Sequence, residues 1–225
     1  MARAESGRGE RSDGGSHRST RNRPTDDELL TAAAEVIGEV GAERTTMDMI
    51  ADRGGTTRVT LYAHFGSRDA LVEKVIEREF VAFAGYMFGV YDNSDGMQHG
   101  PRARYTVEAL FDYARNNPVG LRVLLGHRDG RDDTPGRRIY AALEPKIASR
   151  LRQNYAEVGA DIGAGANALA SLLLGMVLDV AHRALFVTGA DIDAASELAV
   201  TAVLAVLREV RPEQLRALDE SLSRS

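Results

Sequence analysis

The sequence predicts an all-α protein. Apolar residues recur at helical spacing along most of the chain, each break between such stretches carries Gly, Pro or Asn-Pro, and no stretch alternates apolar with polar residues as a half-buried strand does. No repeat of solenoid length is present.

The elements follow in order. Residues 1–24 are rich in Gly, Ser and Arg and have almost nothing to bury, so they are expected to form an arm outside the fold. Six arginines against three acidic residues make the arm basic, which fits either a solvated tail or a segment that touches phosphates or a minor groove. Thr25 and Glu28, in capping-box spacing, open a helix with Leu29, Leu30, Ala33, Ile37 and Val40 on one stripe, and Gly41 stops it. Thr45 and Asp48 repeat that spacing and open a short second helix with Met47, Ile50 and Ala51 inward, broken by Gly54-Gly55. Either Thr56 or Thr57 caps a third short helix through about His64, anchored by Val59, Leu61 and Phe65. Ser67, followed by Asp69, caps a long fourth helix from about Arg68 to Phe88. After a break from Asp92 to Pro101, further helices are expected near Ala103–Asn116, Val119–Gly126, Arg137–Val158, Ile162–Val187 and Ala194–Val210, with a weak one after Pro212.

Composition narrows the function. The net charge of −5 argues against a protein that coats nucleic acid through bulk positive charge, so any DNA contact must come from a local basic surface. The absence of cysteine excludes disulfides, thiolate metal sites and a cysteine nucleophile, and is compatible with a reducing cytoplasm. The first residues lack the apolar segment of a secretory signal, and a cytoplasmic protein is expected. The most apolar run, Ala168–Val187, has Asp179, His182 and Arg183 in its second half, so it is read as a buried helix and not as a membrane span. There is no HExxH pattern, no pair of Glu-x-x-His motifs, no P-loop and no dinucleotide fingerprint; no catalytic residue, metal or cofactor is predicted, and the chain reads as a non-enzyme.

The segment from Thr45 to Leu71 carries the functional signal. Two short helices joined by a glycine turn and packed on a preceding amphipathic helix make a helix-turn-helix, whose second member docks in a DNA major groove. From Arg53 to Arg68 there are three arginines and no acidic residue, so an acidic chain concentrates positive charge at that helix.

Thr46, Ile50, Ala51, Gly55, Thr57, Thr60, Leu61, Tyr62, His64, Phe65, Ser67 and Arg68 together resemble the N-terminal signature of the tetracycline-repressor (TetR) family, over roughly residues 25–75. Gly54, Thr56 and Val59 depart from it, standing where the family usually has Ala, Val and Gly. The resemblance implies a helix-turn-helix DNA-binding domain at residues 25–70 and a helical effector-binding and dimerisation domain at 71–225. It also implies a homodimer on a palindromic double-stranded operator, and repression relieved by a small-molecule effector. By the same resemblance Tyr62 and His64 contact phosphates, Thr46 and Arg68 add backbone contacts at helix N-termini, and Thr57, Arg58 and Thr60 face bases.

Elsewhere the signals are weaker. The last two long helices are apolar on most sides, which implies a partner; the resemblance makes that partner a second copy, approached closely through Ala166, Ala170, Gly175, Ala199 and Ala202. Asp179, His182 and Arg183 share a helix face, where they either pair with one another or point into a ligand cavity. Tyr105, Phe111, Tyr113 and His127 are further cavity candidates, with plain core packing as the alternative. A DNA-binding regulator controlled by a protein partner in place of a small molecule remains the second reading; an enclosed apolar cavity between about residues 100 and 187 would discriminate the two.

Overall fold

The computed structural model describes residues 23–126 and 135–222, and these residues form ten α-helices and one π-helical turn with no strand. Most of the arm expected at 1–24 therefore lies outside the described residues.

Helix α1 (Asp26–Val40) opens on the predicted capping box: the Thr25 amide donates to Glu28 Oε2 at 2.7 Å and the Glu28 amide to Thr25 Oγ1 at 3.3 Å. The bond from the Thr25 backbone, then that from its hydroxyl, holds the Glu28 carboxyl below the usual carboxylate range. Helix α2 (Met47–Arg53) is capped by Thr46 and not by Thr45. Thr45 faces inward, and its hydroxyl donates to the Gly41 carbonyl at 2.7 Å, so it cannot also reach the start of α2. Thr57 is the cap of α3 (Arg58–Phe65), and Gly55, at φ +60°, supplies the left-handed turn before it. The expectation for Val59 fails: it is 78% exposed, and only Leu61 and Phe65 anchor α3. On so short a helix one face is all that the core can cover.

Helix α4 (Arg68–Asn93), capped by Ser67, runs past the expected end at Phe88 because Val90 and Tyr91 extend its buried stripe. Helix α5 (His99–Asn116) starts earlier than expected and carries Pro101 in its first turn, where a missing N–H costs nothing. Then follow α6 (Pro118–Leu125), α7 (Pro135–Glu157, continuous through Pro145), α8 (Gly165–His182), the π-helical segment Arg183–Thr188, α9 (Ile192–Glu209) and α10 (Pro212–Leu222).

Two apolar cores result. The first joins α1, α2, Leu61 and Phe65 of α3, the start of α4 through Ile76, and Val123 of α6. The second begins on α4 at Phe83 and fills the space between α5, α7, α8 and α9, with α7 along α8 and α5 along α9. One helix thus threads both cores, spanning about 39 Å over its 26 residues. Helix α6 bridges them as well, with Val123 in the first and Leu121, Leu124 and Leu125 in the second.

Gly165–Thr188 is long and apolar enough by composition to cross a bilayer, yet Leu169, Leu173, Leu174, Val177 and Leu178 are buried in the second core. Ala166, Ala170 and Ala199, expected where two copies meet, are likewise buried within the subunit. Gly175 lies close to the Tyr140 hydroxyl, where an added Cβ would be 3.1 Å from that oxygen. These small residues let α8 sit tightly in its own domain.

Candidate nucleic-acid interface

The interface is built on α3, an eight-residue helix held by Leu61 and Phe65, which turn its opposite face to solvent. Thr57, Arg58, Val59 and Tyr62 are exposed, so they form one outward surface with the partly exposed Thr60. Thr57 Oγ1 accepts from the Thr60 amide at 3.2 Å and lies 3.0 Å from Thr60 Oγ1. Each hydroxyl has capacity left for another partner. Gly66, at φ +77°, ends α3 and sets the turn into α4.

Arg58 is not a free cation. Its Nε lies 3.0 Å from Asp48 Oδ1, and Nη1 donates to Asp48 Oδ2 at 3.4 Å, with both side chains more than half exposed. The absence of acids between Arg53 and Arg68 in sequence hid this carboxylate on the neighbouring helix. Arg53 is more firmly held by Glu39 at 2.7 Å and Glu35 at 3.0 Å, and the hydrogen bond to Glu39 is the largest cause of its raised pKa.

His64 faces the start of α1, with Nδ1 2.5 Å from Asp26 Oδ1. A carboxylate only accepts, so Nδ1 carries the proton, and Nε2 can donate to a phosphate only when the ring is doubly protonated. Arg68 occupies its guanidinium on protein: Nε donates to Thr45 O at 2.9 Å, Nη2 to Ala42 O and Nη1 to Asp69 at 2.6 Å. It clamps the loop that leads into Thr46, whose own Oγ1 accepts from the Met49 amide at 3.3 Å. Thr46 is exposed at the N-terminus of α2.

The second core holds an apolar cavity of about 110 Å³, open on one side, between α4, α5, α7, α8 and α9. Its wall includes Met87 and Tyr91 from the far end of α4, with Leu110, Leu143, Leu174 and Val203. None of the described cavity candidates lines it. Phe111 is fully buried core, and Tyr113 packs edge-on to Phe83 at 5.1 Å, its hydroxyl pushed up to about 12 by burial and then by the Glu79 charge. Tyr105 lies on α5 outside the lining. Arg183 Nε pairs with Asp179 Oδ2 at 2.8 Å on a solvent-facing surface, and His182 packs edge-on to Phe186 at 5.5 Å. His127 lies outside the described residues. The residues sequence reasoning missed, Asp48, His99, Arg102 and Arg150, are ordinary surface charges by periodicity, and no sequence signal marks them.

An exposed helix-turn-helix surface is thus joined by one continuous helix to a helical domain with a cavity of its own, an arrangement that fits a DNA-binding protein. Residues 29–75 match the model of the bacterial regulatory proteins of the tetR family. The transcriptional activator FasR of Mycolicibacterium smegmatis is 34% identical over 121 residues, which cover 52% of this chain and 54% of FasR. The chain thus spans about half the length of that relative. The nucleoid occlusion factor SlmA of Vibrio cholerae is 27% identical over 156 residues, 67% of this chain and 79% of SlmA. Among solved structures, a TetR-like transcriptional regulator from Rhodococcus sp. RHA1 superposes with a TM-score of 0.68 at 21% identity, covering 84% of this chain and all of that one, and shows the same fold. Over residues 29–75 the chain is thus similar to the DNA-binding domain of the tetR family, and it shares the fold of a TetR-like regulator.

Proposed function

We propose that this regulator binds a palindromic operator in the cytoplasm as a homodimer, and that a small molecule in the second core releases it. The observation that carries this reading is α4, whose start is buried beneath α3 and whose far end lines the cavity. A ligand that reshapes the cavity wall displaces a rigid rod on which the reading helix sits. On this reading the domain boundary falls within α4, between Ile76 and Phe83. Thr57, Arg58 and Thr60 face bases, Tyr62 and His64 hold phosphates, Thr46 adds a contact at the start of α2, and Arg68 positions the loop beneath it.

The test is to select DNA from a random library, then screen compounds for a raised melting temperature and titrate each hit against that DNA. Binding free energies are reciprocal, so a releasing ligand and the DNA must weaken one another by the same factor. Hits that leave DNA affinity unchanged would remove the effector. FasR is named an activator, so the sign of regulation on this operator is tested by transcription in its presence. SlmA, named for nucleoid occlusion and not for a gene it regulates, favours the second reading, control by a protein partner; the cavity weighs for the ligand.

The dimer is supported by Leu172 on α8 and Leu198 on α9, large apolar side chains that are 51% and 63% exposed on helices whose other face is core. Leu198→Glu should leave the monomer folded, convert the sedimentation of a dimer into that of a monomer, and weaken DNA binding with it. An unchanged dimer would move the interface elsewhere.

Tyr62→Phe and His64→Ala remove groups expected to meet phosphates, which carry no sequence information. Each should therefore weaken selected and random duplexes by the same factor, read by competition titration at one salt concentration. A loss confined to selected DNA would make these residues base readers.

A further inference from the structure

The cavity has one polar end. His99 and Arg102, from the first turn of α5, belong both to the apolar cavity and to an open depression beside it formed by Gly96–Gln98 and Glu157. Cavity and depression therefore meet at these two side chains. The charges there are unequally matched: His99 Nε2 lies 3.0 Å from Glu157, and Arg150 pairs with Asp95 and donates to the Tyr91 carbonyl. Arg102 donates through Nη2 to the Met97 carbonyl, while its Nε is buried with no hydrogen-bond partner, and no carboxylate among the described residues pairs with it. A buried donor without an acceptor is costly, and a guanidinium so placed at the mouth of an apolar space lacks an anion.

We propose that this site binds an apolar-tailed anion, its chain among Leu110, Leu143, Ile147, Leu173, Leu174 and Leu207 and its anionic group on Arg102. The proposal rests on the effector reading for its regulatory consequence, and not for the binding itself. A cavity of about 110 Å³ is close in size to the engineered apolar voids that stay dry and take up a small hydrocarbon. A longer chain must widen it, and the wall that yields includes Met87 and Tyr91 of α4.

The test uses the full chain and four probes with one tail: decanoate, decyl phosphate, 1-decanol and decylamine, each titrated by calorimetry below its micelle concentration. Decanoate or decyl phosphate is expected to bind at least about tenfold tighter than the alcohol and the amine, the ratio that a hydrogen bond to a charged group supplies; whichever anion is tighter names the head group. Arg102→Gln should erase that ratio and leave 1-decanol within about twofold of its original affinity. Equal binding of all four probes, no binding of either anion, or an anion preference that survives Arg102→Gln in a folded variant overturns the proposal; the first two need no variant. The same titrations repeated with selected DNA separate the two readings. Arg102-dependent anion binding without DNA release leaves the site standing and removes the effector, whereas equal release by 1-decanol keeps the effector and removes the anion.

Discussion

Leu61→Ala is expected to cost about 2–5 kcal/mol of stability and to abolish DNA binding to every duplex. Leu61 is fully buried, and with Phe65 it is one of two residues that fasten α3 to the first core. An eight-residue helix does not persist in water by its own hydrogen bonds, so its order is borrowed from those two anchors. Alanine leaves a cavity beneath the helix and a single ring to hold it. Urea unfolding should show a lower midpoint with an unchanged slope, and competition titration should show equal losses on selected and random DNA. Full DNA affinity in a variant with the lowered midpoint would mean that α3 is not the helix that docks.

Arg58→Ala is expected to cost about 1–3 kcal/mol on selected DNA and much less on random DNA, so selectivity falls. Arg58 is the first residue of α3, where a groove-docked helix reaches base edges and a guanidinium can pair bidentately with guanine. In the free protein it is held by Asp48 on α2, and magnitudes decide which partner wins. An exposed ion pair is worth at most about 1 kcal/mol, and salt screens it further, whereas a bidentate guanine contact discriminates by about 1–3 kcal/mol. Asp48 is therefore expected to pre-position the guanidinium and to yield it to DNA. Asp48→Asn removes a negative charge beside the phosphates and should tighten binding to all duplexes. Equal losses for Arg58→Ala on both kinds of DNA would make it a phosphate contact.

The reach of the sequence differs between the two halves of the molecule. At the N-terminus, capping residues and glycine turns act within a few positions of one another, so Thr25, Ser67 and Gly55 could be placed before any packing was known, and the cap of α3 was narrowed to Thr56 or Thr57. The exchange of Thr45 for Thr46 shows the limit: two adjacent threonines compete for one cap, and the loser is the one whose hydroxyl finds the Gly41 carbonyl. Val59 failed for a related reason, since apolarity does not say which face of a short helix the core will cover. In the helical domain, aromatic and charged residues drew attention because they are chemically rich, yet Phe111 and Tyr113 became core and Asp179 and Arg183 satisfied one another at the surface.

The sequence by itself determined the all-α class, most helix starts and the helix-turn-helix, because these follow from local hydrogen bonding and from a periodicity that any single helix displays. Only the tertiary structure decided that α4 joins both cores, that Asp48 holds Arg58, and that the Nε of Arg102 stands without an acceptor beside a cavity. Those facts depend on which helices meet across long sequence separations, and on how completely their side chains fill the space between them.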